Sequence, residues 1–192
     1  MKLSILLERA KEIAPLLRRS FINTLFDATF TQLGVIIGSA FAENPDLQMI
    51  IGTLVASSVA LGISTGVSVY ESETLERERK LIELERALFR ELDGTMITKN
   101  YRSCARVLAL VNFLTPFLCC GIILIPMLFV QFHLIGVKLG AWISVVLALS
   151  IIFVAGTYLG RLGKKNPLLK GIRMVIFGVA AFIIGFVIQN II

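Results

Sequence analysis

Five stretches of this chain are almost unbroken in apolar character, at roughly 21–42, 48–70, 105–130, 139–160 and 170–192. Crossing a hydrocarbon layer of about 30 Å as a helix takes about 20 residues, so each run is long enough to span one. The runs lack the alternating pattern of a barrel strand, and a helix satisfies every backbone hydrogen bond internally; five transmembrane helices are therefore predicted. The polar intervals are patterned too. In MKLSILLERAKEIAPLLRR (1–19), Leu3, Leu6, Leu7, Ala10, Ile13, Leu16 and Leu17 recur at helical spacing against a charged face. That predicts an amphipathic helix at the membrane interface over 1–20, with Pro15 as a bend. ESETLERERKLIELERALFREL (71–92) contains no helix breaker before Gly94, so the second span is expected to continue out of the membrane as one long helix. Along it Leu75, Ile82 and Phe89 recur every seven residues, as do Leu81 and Leu88, a seam that calls for a partner helix. The expected fold is an all-α integral membrane protein in four segments: the interfacial helix 1–20, transmembrane helices one and two in 21–70, a helical insert 71–103, and transmembrane helices three to five in 104–192.

Composition agrees: 56% of the residues are hydrophobic, above the 45–50% usual for soluble domains. A net charge of +6 raises the possibility of nucleic acid, but the basic residues flank the apolar runs, which excludes that partner and points to topology instead. Lys2, Arg9, Lys11, Arg18 and Arg19 precede the first run; Arg77, Arg79, Lys80, Arg86, Arg90, Lys99, Arg102 and Arg106 follow the second; Arg161, Lys164, Lys165, Lys170 and Arg173 separate the fourth from the fifth. The opposite side holds only Glu43 and Asp46 in one turn, and His133 with Lys138 in the other. The excess of Lys and Arg on one side predicts a cytoplasmic N-terminus and insert and an outer C-terminus. Ser39-Ala40-Phe41-Ala42 resembles a cleavage site, but the region before it is too long and carries Asp27, so the first span is read as retained.

Asp27 is the one acidic residue inside a span, in FINTLFDATFTQLGVIIGSA (21–40), and no acid follows Asp93. A charged side chain at the bilayer centre costs about 2.5–3.5 kcal/mol even on lenient insertion scales, so such a residue marks a cation or proton site, or pairs with a base such as Arg18 or Arg19. Thr31 lies one turn above on the same face and Asn23 one turn below. Ser57, Ser58, Ser64 and Thr65 in span two, with Asn112 and Thr115 in span three, could add oxygen ligands of the kind divalent cations accept. Pro116 and Pro126 each free a backbone carbonyl one turn earlier, which could line a cavity. On the insert, Glu76 and Glu83 belong to a carboxylate stripe that could collect cations, but basic residues at i+3 and i+4 favour reading it as a solvated, salt-bridged face.

Other chemistries lack their residues. Cys104, Cys119 and Cys120 form no C-x-x-C and there is a single histidine, so a Cys/His zinc site has no ligand set and the cysteines read as small core residues. No nucleophile–His–acid set, P-loop or dinucleotide fingerprint is present, so neither an enzyme nor a bound cofactor is expected. Gly34-xxx-Gly38, Gly156-xxx-Gly160 and the line Gly171, Gly178, Gly185 are expected to pack helices closely.

FDATFTQLGVIIG, with Asp27, Thr31, Leu33, Gly34 and Gly38, resembles the first-span signature of the vacuolar iron transporter family. VSVYES (67–72), NFLTPFLCCGIILIP (112–126) and GVAAFIIGFVI (178–188) resemble the end of its second span, its proline-bearing third and its small-residue fifth. The resemblance implies export of Fe²⁺ or Mn²⁺ from the cytosol against protons by a homodimer, the metal being substrate and Asp27 lying in its path. It also places Thr65 where the family commonly has Glu, Leu61 where plant members have Met, and a shorter insert than the plant proteins carry. The resulting candidate metal residues are Asp27, Thr31, Thr65, Glu76 and Glu83. The competing readings are a non-transporting membrane protein whose cytoplasmic helix docks a partner, and a transporter of another cation.

Overall fold

The computed structural model describes residues 2–89, 96–163 and 166–191. They form five helices: α1 Lys2–Ala40, α2 Leu47–Leu88, α3 Met96–Gln131, α4 Val137–Leu162 and α5 Pro167–Ile191. All five contain a stretch long and apolar enough to cross a membrane. The fold is the expected all-helical, five-span arrangement, with α2 extended beyond its apolar run. At 1.5 Å per residue, the 26 residues of α4 cover about 39 Å and the 42 of α2 about 63 Å, so α2 is roughly twice as long as the hydrocarbon is thick. Residues 2–20 are continuous with the first span in α1. The helix continues through Pro15, because a proline removes one backbone donor without obliging the chain to stop. The stripe Leu3, Leu6, Leu7, Ala10 and Ile13 lies outside the residues whose side chains are described. α2 ends before the anticipated Gly94, which itself lies outside the described residues: Phe89 adopts φ 48°, a left-handed value that terminates a helix.

Two compact units divide the chain. One comprises Ile22–Leu61 and Thr115–Ile192. Its core joins Leu33, Ile36 and Ile37 of α1, Ile50 and Leu54 of α2, Cys120, Ile123 and Met127 of α3, and Ala141, Val145 and Ala148 of α4. Beyond the end of α1, Phe41 packs edge-on against Trp142, Phe182 and Phe186 at ring separations of 5.2–6.1 Å, a geometry favoured by the ring quadrupoles. α4 and α5 meet through glycine. A Cβ on Gly156 would sit 3.0 Å from Gly171 Cα, and one on Gly160 would sit 2.6 Å from Pro167 Cα, so this crossing excludes any larger residue. Small residues let backbones approach where lipid supplies no hydrophobic drive. Ser144 Oγ donates to Ile123 O at 2.8 Å, tying α4 to α3.

The other unit comprises Met1–Phe21 and Gly62–Leu114. Its centre is Asn112 of α3, fully buried. Asn112 Nδ2 donates to Leu108 O at 2.7 Å, and its Oδ1 accepts from Ser20 Oγ of α1 at 2.9 Å. Thr65 Oγ1 of α2 donates to Asn112 O at 3.1 Å. Against the same turn, Gly66 brings α2 close to α3: a Cβ there would lie 3.1 Å from Phe113 Cβ.

Candidate cation site

α1 divides into two faces. Ile22, Ala28, Thr29, Gln32, Leu33, Ile36, Ile37 and Ala40 are buried, whereas Asn23, Asp27, Thr31, Gly34 and Gly38 are exposed. The exposed positions fall three or four apart, so they share one helical stripe. This stripe is the polar and small side of an apolar helix, the reverse of what a lipid-facing surface should carry. Asn23, Asp27 and Thr31 make no hydrogen bond or ion pair among the described residues. That distinguishes Thr31 from Thr29, whose hydroxyl bonds back to Leu25 O at 2.7 Å and also faces Cys119 Sγ at 3.7 Å. No ion pair to Asp27 is present among the described residues, and its carboxylate and the Thr31 hydroxyl stand one turn apart. A Cβ on Gly34 would meet nothing within 4 Å and one on Gly38 only Gln189 Oε1 at 4.0 Å, so Gly34-xxx-Gly38, expected to pack helices closely, makes no close crossing within its own unit.

The remaining candidates, Thr65, Glu76 and Glu83, belong to the other unit. The Thr65 hydroxyl is engaged by Asn112 O, and more weakly by Gly62 O at 3.4 Å. This contact has a cause in α3: Pro116 offers no N–H to the carbonyl four residues earlier, and Thr65 provides the missing donor. The freed carbonyl is therefore capped instead of lining a cavity. Glu76 pairs with Lys80 at 3.4 Å, both side chains well exposed, and Glu73 with Arg77 at 3.3 Å; Glu83 is exposed. Among the described residues no three His, Cys, Asp or Glu side chains converge as a metal site. The Glu76–Lys80 pair is that of a solvated helix face, worth about 0.3–0.5 kcal/mol, whereas the Arg77 and Glu73 side chains are only 13% and 22% exposed. Sequence reasoning passed over one residue entirely, Gln32, buried on α1 against Leu54, Ser57 and Ser58 of α2. Its only sequence signal was an amide at a position where the helical period puts the core.

Within its own unit the arrangement is thus a carboxylate and a hydroxyl one turn apart on an exposed stripe of α1. Comparison with known proteins bears on what that arrangement belongs to. An uncharacterized protein of Methanocaldococcus jannaschii is 24% identical to this chain over 175 residues, covering 90% of this chain and 88% of that protein. The sequence model of the VIT family matches residues 83–190. That match begins beyond the first-span motif of the resemblance but takes in the third- and fifth-span segments, 112–126 and 178–188, that also resemble the family. With more than half of its length matched, the chain belongs to the VIT family, membrane transporters of divalent metal ions.

Proposed function

We propose that the protein is a homodimeric secondary transporter exporting Fe²⁺ or Mn²⁺ from the cytosol in exchange for protons, with Asp27 as the residue that takes either cation or proton. The observation that carries this reading is the Asp27 carboxylate itself: it lies on a spanning helix, turned away from its own core, with no partner among the described residues. In lipid such a placement is costly unless a cation, a proton or a second protein surface meets it. Thr31, one turn away with an unbonded hydroxyl, adds a neutral oxygen of the sort a divalent ion accepts. Ionised, Asp27 binds the metal; protonated, it releases it, and alternation between the two couples the fluxes. Glu76, paired with Lys80 on an exposed face of α2, is left outside this proposed site.

The test is a panel of divalent metals in proteoliposomes, wild type beside Asp27→Asn, with thermal stability measured on the same preparations. Asn keeps the shape but cannot exchange a proton and is a poorer ligand, so metal-driven proton flux should vanish while the fold persists. Full flux in Asp27→Asn would remove the residue from the transport path. Weakened assembly with unchanged flux per folded dimer would make it a structural acid.

A further inference from the structure

Gln32 is fully buried (0% exposed) on the face of α1 opposite the Asp27 stripe. Its Nε2 donates to Leu54 O at 3.2 Å and also reaches the hydroxyls of Ser57 and Ser58. The same carbonyl accepts from Ser57 Oγ at 3.0 Å, Ser58 Oγ at 2.8 Å and Cys120 Sγ at 3.5 Å. A carbonyl offers two lone pairs, so its side-chain donors are in excess. Gln32 Oε1, meanwhile, is buried without a hydrogen-bond partner. Stability gives no reason for such a side chain: an unpaired buried acceptor is destabilising, and an apolar residue of the same shape would be neutral or better. What the amide does supply is direction. Apolar contacts such as those of Leu33 and Ile36 tolerate small rotations of a helix, whereas a hydrogen bond weakens steeply with angle.

Gln32 follows Thr31 by one residue and Asp27 by five, so its bond is offset from them by about 100° and 140° around the helix. We propose that Gln32 is a positioning residue for the cation site. Its tether to the Leu54–Ser58 turn of α2 fixes the rotation of α1 about its axis and so holds Asp27 and Thr31 on the outward stripe. The proposal rests on the reading of Asp27 given above. It requires the tether to matter more for the site than for the fold.

Gln32→Met separates those roles, because it keeps the length of the side chain and removes both amide groups. Stability and Mn²⁺ transport are measured on one preparation. The melting temperature should be unchanged or raised, with KM for Mn²⁺ up about tenfold and kcat largely retained. A second measurement needs no transport. With Cys104, Cys119 and Cys120 replaced by serine, a nitroxide is placed in turn at each position from 27 to 38 other than 32. Its mobility should follow the helical period in the parent and lose that contrast in Gln32→Met. An unchanged mobility pattern, or a wild-type KM, overturns the proposal. A large fall in melting temperature with KM unchanged also overturns it, making Gln32 structural only. Should the wild type carry no cation flux at all, the reading of Asp27 fails, and the nitroxide scan alone decides whether Gln32 sets the rotation of α1.

Discussion

Pro116 and Thr65 show at the level of single residues how one sequence feature finds its use in another. The proline leaves Asn112 O without its helical donor, and the Thr65 hydroxyl of α2 supplies one at 3.1 Å. Thr65→Val keeps the shape and removes the donor, so a buried carbonyl loses a bond whose absence costs about 1–3 kcal/mol. We expect a lower melting temperature with KM for the metal unchanged; a stable variant with weakened metal binding would instead return Thr65 to the site. Asp27 was legible in the sequence because a lone carboxylate in an apolar run has few inexpensive explanations. Thr31 was legible because it lies one turn from it. Gln32 was not, since a neutral amide in a span is cheap enough to pass as interhelical glue, and only coordinates reveal that its oxygen is orphaned and its nitrogen tied to α2. The capping of Asn112 O was hidden for a similar reason. A proline announces a free carbonyl, but which neighbour fills it depends on how the helices dock.

Among the elements, span number and the extension of α2 followed directly from hydropathy and from the absence of breakers in 71–88. Helix ends were less legible. α1 runs through Pro15 and α2 stops at Leu88, because one missing donor can be tolerated mid-helix while a positive φ at Phe89 cannot continue a helix. Glycine spacing alone also failed to distinguish two kinds of small-residue motif. Gly156 and Gly171 touch across α4 and α5, whereas Gly34 has nothing near it. Which side of the membrane each element end faces is set by the loops, and their Lys and Arg asymmetry predicts that the 71–88 extension of α2 is cytoplasmic. Single cysteines at 44 and 85 in a cysteine-free background should therefore be labelled by impermeant reagents from opposite sides. Labelling of both from the same side would reverse this assignment and require an even number of crossings between them.

For the molecule as a whole, what is missing from one protomer says most. The outward stripe of α1 bears Asn23, Asp27 and Thr31 beside Gly34 and Gly38, and α2 leaves Gly52, Ala56 and Ala60 exposed. Polar and small residues are a poor surface for lipid and a good one for a neighbouring helix. Further along α2, Leu75, Ile82 and Phe89 are 55%, 48% and 97% exposed, an apolar seam on a helix otherwise rich in charge. In the proposed homodimer a second copy would cover the α1 stripe, bringing two Asp27 stripes into one assembly. Gly34→Leu tests this without disturbing the protomer, because a Cβ at this position meets nothing within 4 Å and leucine is a better helix former than glycine. The variant should keep wild-type helicity and expression while its mass in mild detergent and in nanodiscs falls from dimer to monomer, and metal flux should fall with it. If Gly34→Leu remains dimeric with full flux, the stripe is not the interface, and if the wild type is itself monomeric in nanodiscs, the protein works without a second copy. A leucine that leaves the protomer intact and separates the pair would show that Gly34 is small for the sake of a surface outside its own chain.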